Sequence, residues 1–140
     1  MMDQEEVKKI LPHRDPFLFV DQILELGEKH AVGIKNVRAE EPHFKGHFPQ
    51  KPVMPGVLMI EAMAQVGGVL LLSKPANRGK LAYLVSVNNA RFRKVVTPGD
   101  KLHIAIEIIR MKSRIGVCHG VITVEGVEVC DAEFMFSVVD

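Results

Sequence analysis

One segment constrains this chain more than any other. Residues Val57 to Ser73, VLMIEAMAQVGGVLLLS, form an unbroken apolar stretch in which only Glu61, Gln65 and Ser73 are strongly polar. Pro55 and Gly56 precede it and Pro75 follows it, so it reads as one helix with defined ends. A helix apolar on all sides is either buried or in a membrane. Seventeen residues with an internal Glu and Gln fall short of the roughly 20 apolar residues that a span requires. The stretch is therefore expected to lie inside a soluble domain, covered on most sides by other elements. Gly67 and Gly68 each cost about 1 kcal/mol inside a helix, so close approach of a neighbour or a ligand chain is expected there.

The cover comes from the rest of the chain. LAYLVSVNNARFRKVV, KLHIAIEIIRMK, IGVCHGVITVEG and VEVCDAEFMFSVV are rich in Val, Ile and Phe, and they alternate in part. Pro98-Gly99-Asp100, Ser113 and Gly126 separate them, which predicts four strands of an antiparallel sheet. Upstream, FLFVDQILELGE and HAVGIKNVRA predict two more strands with Gly27 near the turn. Residues 3–11 predict a short amphipathic helix, with Val7, Ile10 and Leu11 on one face and Pro12 as its stop. Residues 39–56 hold Pro42, Gly46, Pro49, Pro52, Pro55 and Gly56 and predict an ordered loop without regular elements. The order helix, two strands, helix, four strands is α+β, and 140 residues fit one domain spanning 1–140.

Composition narrows the function. A net charge of +1 argues against bulk nucleic-acid binding. The N-terminus has no basic segment followed by an apolar run, so no secretory signal is visible. Cys118 and Cys130 lie in separate apolar strands without metal-type spacing, and a reduced, buried role in a cytoplasmic protein is the expectation.

Three features could carry chemistry. Glu61 sits one turn into the apolar helix, where a carboxylate is costly to bury without a partner and could serve as a general acid. Gln65, four residues on, shares its face and could orient it. The plainer alternative is a Glu that points to solvent or caps backbone amides. His47 lies in a loop whose Gly and Pro residues fix backbone shape, and an imidazole can act as base or acid at neutral pH. His43 is four residues away, but the intervening Gly and flanking Pro oppose a helical metal pair, and no metal site is expected. His13, His30, His103 and His119 read as surface or structural residues. Third, the amides of Gly56 and Val57 open a buried helix and could stabilise an oxyanion.

A resemblance to a known family gives these features a common purpose. GHFPQKPVMPGVLMIEAMAQ at 46–65, LPHRDPFLFVD at 11–21 and RFRKVVTPGD at 91–100 resemble, in order, three blocks of the FabZ-type 3-hydroxyacyl-acyl-carrier-protein dehydratases. The likeness covers essentially the whole chain. It implies the hotdog fold, a curved antiparallel β-sheet wrapped around one long central α-helix. It places the family's catalytic His on His47, its catalytic carboxylate on Glu61 and its oxyanion amides around Gly56 and Val57. The related FabA type carries Asp at the carboxylate position, so Glu61 favours dehydration without a dedicated isomerase role. Val95 stands where many relatives carry Pro, away from the acid–base pair.

The implied reaction forms a trans-2-enoyl thioester and water from a (3R)-3-hydroxyacyl thioester in fatty-acid synthesis, with no cofactor. Tyr83, Phe48, Met59, Met63 and Gln65 are tunnel candidates, as are Leu84 and Phe92. Arg78, Lys80, Arg91, Arg93 and Lys94 form a local basic excess suited to docking an acidic acyl carrier protein. A homodimer, further assembled into a hexamer as a trimer of dimers, is implied too. The rival readings are a hotdog acyl-CoA thioesterase and a non-catalytic acyl-binding module.

Overall fold

A computed structural model of the chain describes all residues 1–140. The apolar run forms α2, Gly56–Leu72, 17 residues long. It starts one residue before the expected Val57, with Pro55 at the N-cap position and no side chain capping it. Six strands surround it: β1 (Gln22–Leu26), β2 (His30–Asn36), β3 (Leu81–Phe92), β4 (Lys101–Lys112), β5 (Ile115–Val124) and β6 (Val127–Val139). They form one antiparallel sheet in the order β1-β2-β4-β5-β6-β3. This is the α+β hotdog architecture that the resemblance implies.

Alternation sets the core. Along β4, Leu102, Ile104, Ile106 and Ile108 are buried while Lys101, His103 and Glu107 face out. Along β6, Cys130, Ala132, Phe134, Phe136 and Val138 point inward. From Met59 to Leu72 every residue of α2 except Glu61 is buried, and the helix touches β2, β3, β4, β5 and β6. Close approach is made possible by glycines. A Cβ on Gly67 would stand 2.8 Å from the Phe136 ring, and one on Gly68 would stand 3.1 Å from Leu11 Cδ2. The neighbours that the two glycines accommodate are thus side chains of β6 and of the N-terminal segment. Cys118 and Cys130 are free and buried, and burial pushes their thiols up to about 11 and about 12.

Three expectations need correction. The first helix, α1 (Gln4–Lys8), is shorter than 3–11: Asp3 caps it in a reciprocal capping box with Glu6, and it has ended at Lys9, ahead of Pro12. The first strand begins at Gln22, not Phe17, because the carbonyl of Phe17 and the amide of Phe19 are taken by the Gln65 side chain rather than by a strand ladder. The loop 39–56 contains a 3-10 turn at Pro42–Lys45, which Pro42 permits at its first position.

Candidate active site

Gln65 organises the buried side of the site. Its side chain is almost wholly buried, and such an amide must find partners for both its ends. Oε1 accepts the Phe19 amide at 2.7 Å. Nε2 donates to the Phe17 carbonyl at 2.8 Å and to Glu61 Oε2 at 2.9 Å. One residue thereby ties the 17–19 segment to the helix and holds the carboxylate one turn away. Glu61 is half-buried, and no protein donor reaches its Oε1.

Glu61 opens into an apolar cavity of about 580 Å³, within the range of small-molecule sites. Ala64, Gln65, Gly68 and Leu72 form its helical wall, and Leu81 to Leu84 of β3 form another. The third wall is Leu11, Pro12 and His13. His13 Nε2 stands 3.5 Å from Glu61 Oε2. The imidazole of this cavity is therefore His13, which sequence reasoning had left among the surface and structural histidines. Its place in the LPHRD block was the signal that could have singled it out. His30, His103 and His119 are exposed, and His30 lies 3.5 Å from Glu25.

His47 occupies different surroundings. Its Nδ1 lies 2.7 Å from the Val53 carbonyl, which can only accept, so in the neutral ring Nδ1 is the donor and Nε2 carries the lone pair. Its amide donates to the His43 carbonyl. Phe48 follows in the left-handed region at φ 55°, a strained conformation for a bulky residue, with its ring 4.4 Å from the imidazole. The loop is anchored from below. Lys35 is 1% exposed, and its Nζ meets Glu41 Oε1 at 2.7 Å while lying over the Phe19 ring. Burial pulls the pKa of His43 below its ordinary value; Glu41 opposes this, and Lys35 and His47 add to it.

At the start of α2 the Gly56 and Val57 amides have no backbone partner, and Val57 is exposed. With Val53, Met59, Phe92, Arg93, Lys94 and Val95 they line a shallow groove. A Cβ on Gly56 would stand 2.8 Å from the Phe92 ring, so only glycine lets this strand end cover the helix start.

The tunnel candidates thus separate. Tyr83, Leu84 and Gln65 line the Glu61 cavity, while Met59 and Phe92 line the groove. Met63 is a correction: it lies on the opposite helix face, fully buried against Gly120 of β5. Phe48, kinked beside His47, is exposed and lies outside the cavity of its own chain. Among the basic residues, Arg93 is engaged by Glu128 and by Asp131, and Lys80 lies 3.6 Å from Asp140, whereas Arg78, Arg91 and Lys94 are exposed without an acidic partner. No three His, Cys, Asp or Glu side chains converge as a metal-binding group.

Residues 11–133 match the FabA-like domain family. A 3-hydroxyacyl-[acyl-carrier-protein] dehydratase FabZ from Geobacillus sp. (strain WCH70) is 55% identical, over 100% of this chain and 97% of its own. The FabZ of Bacillus subtilis (strain 168) is 54% identical over 98% of each. The chain belongs to the FabZ-type dehydratases of the FabA-like family. Solved structures agree on the fold of this FabZ-type chain. The dehydratase heterocomplex ApeI:P from Xenorhabdus doucetiae superposes with a TM-score of 0.82 at 22% identity, over 96% of this chain and 91% of the other. A hypothetical thioesterase with coenzyme A from Streptococcus pneumoniae TIGR4 does so with a TM-score of 0.65 at 19% identity, over 84% of each.

Proposed function

We propose that this chain, an enzyme of fatty-acid synthesis that dehydrates 3-hydroxyacyl groups on acyl carrier protein, does so with His47 as base and Glu61 as acid. One observation carries the reading: each side chain is held through one atom and leaves the other free. His47 is tied through Nδ1 and Glu61 through Oε2, so Nε2 and Oε1 are available for proton transfer. His47 Nε2 takes the proton from the carbon next to the thioester carbonyl. The electron pair forms the new double bond as the bond to the 3-hydroxyl breaks. Glu61 Oε1 gives its proton to that hydroxyl, which leaves as water. The Gly56 and Val57 amides hold the thioester oxygen while it carries negative charge. The acyl chain runs into the apolar cavity past Tyr83 and Leu84.

The catalytic pair is shared between two chains. The cavity that Glu61 enters does not include His47, and its mouth is formed by Tyr83 and Leu84 of β3, which ends the sheet and is exposed along most of its length. A second copy laid against β3 would supply the missing base, and two-fold symmetry would create two such sites. Trimerisation of dimers then gives a hexamer. The enzyme works in the cytoplasm, where its two buried, free cysteines stay reduced. The whole chain acts as one domain.

Mixing inactive His47→Ala with inactive Glu61→Ala chains tests the pairing. Random dimers should recover about a quarter of all sites, since one site in each mixed dimer holds both intact residues. No recovery, with mixed dimers verified by mass, would place the site within one chain. Enoyl absorbance measured against free-thiol release separates dehydration from thioester hydrolysis.

A further inference from the structure

We propose that His13 is a positioning residue for Glu61, holding Oε2 together with the Gln65 amide so that Oε1 alone is presented to the substrate. The inference rests on the reading of Glu61 as proton donor. It starts from the convergence of two groups on one oxygen: Gln65 Nε2 at 2.9 Å and His13 Nε2 at 3.5 Å both address Oε2. The second distance exceeds that of a well-made hydrogen bond, but catalytic contacts are often long before substrate binds.

The other ring nitrogen assigns the proton. His13 Nδ1 is buried and has no hydrogen-bond partner. An N–H placed there would be a buried donor without an acceptor, which proteins avoid more strictly than an unpaired lone pair. The favoured tautomer therefore carries its proton on Nε2, aimed at the carboxylate.

The backbone that presents His13 is fixed on both sides. The Arg14 guanidinium donates to the carbonyls of Lys8, Leu11 and His13. Leu11 packs over Gly68, where a larger residue would push the segment off the helix. Beyond it, Gln65 clamps Phe17 and Phe19. The same glutamine thus sets the carboxylate and the end of the loop that carries the imidazole. A side chain that merely filled space would not require this bracing.

The test compares H13F, which keeps a ring but has no donor, with H13Q, whose amide reaches the position of Nε2. Hydration of a crotonyl thioester is measured for each beside E61Q, with thermal midpoints as a control. H13F should lower kcat by about ten- to a hundredfold, the scale of small misplacements in an active site. KM should stay within about twofold, because the lost contact acts in the transition state. H13Q should regain most of the loss. Wild-type kcat in H13F, or H13Q as poor as H13F, overturns the proposal. Should H13F fail to fold, H13Q against the shorter H13N decides: equal kcat values overturn it, and a higher value for H13Q supports it. An inactive E61Q beside a fully active H13F removes His13 alone. Near-normal turnover in E61Q removes the role of Glu61 itself.

Discussion

Strands β3 and β4 are both 12 residues long and similarly apolar, yet they occupy opposite circumstances. β4 lies between β2 and β5 and alternates cleanly, with every second residue from Leu102 to Ile108 buried. β3 ends the sheet, and Tyr83, Leu84, Val85, Val87 and Phe92 are all exposed. A long apolar edge with unpaired backbone groups is a liability unless something covers it. β4 is thus explained by its own chain, whereas β3 calls for a surface that this chain does not contain. Its position at the mouth of the Glu61 cavity links that missing surface to the chemistry.

A buried charge gives the largest expected contrast. Ile104 is fully buried at the centre of the core, and Ile104→Asp should cost more than about 4 kcal/mol and leave no folded protein. The equivalent insult to β3, Val85→Lys, should leave circular dichroism unchanged. It should convert the protein to a monomer by light scattering, since an edge lysine opposes strand pairing. Turnover should then fall by at least about 10²-fold, since the proposed sharing of the pair puts base and acid on different chains. A folded Val85→Lys dimer with normal turnover would break the link between this edge and the site.

The same contrast marks what could be read in the sequence. α2 was legible because an apolar run between Pro55 and Pro75 has one reading. β4 and β6 were legible because alternation reports a sheet with one face buried. The start of β1 was not. Phe17 to Val20 is as apolar as a strand, but Gln65, far along the chain, takes the backbone groups that a strand would need. The family blocks pointed to His47 and Glu61 and implied a dimer, with the site expected at its interface, His47 from one chain and Glu61 from the other. His13 escaped notice because the LPHRD block marks the family without saying which of its side chains meets Glu61, a tertiary approach made where Leu11 packs over Gly68. Met63 and Gln65 lie on one apolar helix, and only the curvature of the sheet decides which faces core and which faces cavity.

Gln65 offers an intermediate effect that sharpens the comparison from the inside. Gln65→Leu preserves bulk but leaves the buried Phe19 amide without a partner and takes the Phe17 carbonyl's partner from it. The orphaned amide costs about 1–3 kcal/mol, so the unfolding free energy from urea titration should drop by about that much. Turnover should fall too, because Glu61 loses its closest donor. Unchanged stability would mean that the 17–19 segment is held by packing alone.

The smallest expected effect concerns the basic residues beside the groove, and it follows from which of them are already engaged. Arg93 is held by Glu128 and Asp131 of β6, so its charge is largely neutralised and its replacement should be felt as structure. Lys94 is exposed, has no acidic partner and lines the groove with Gly56 and Val57, where a thioester carried by an acidic protein would enter. Arg91, exposed on the same strand end, adds to its field. Lys94→Glu should therefore raise KM for the carrier-protein thioester several-fold at low salt, and the difference should shrink once salt screens the encounter beyond a Debye length of about 10 Å. Turnover of a small thioester mimic should barely change. Arg93→Glu should instead impair both substrates alike and lower the thermal midpoint, because it sets like charges against Glu128 and Asp131. Equal loss on both substrates for Lys94→Glu would assign that lysine to the same structural role and leave the docking surface to Arg78 and Arg91.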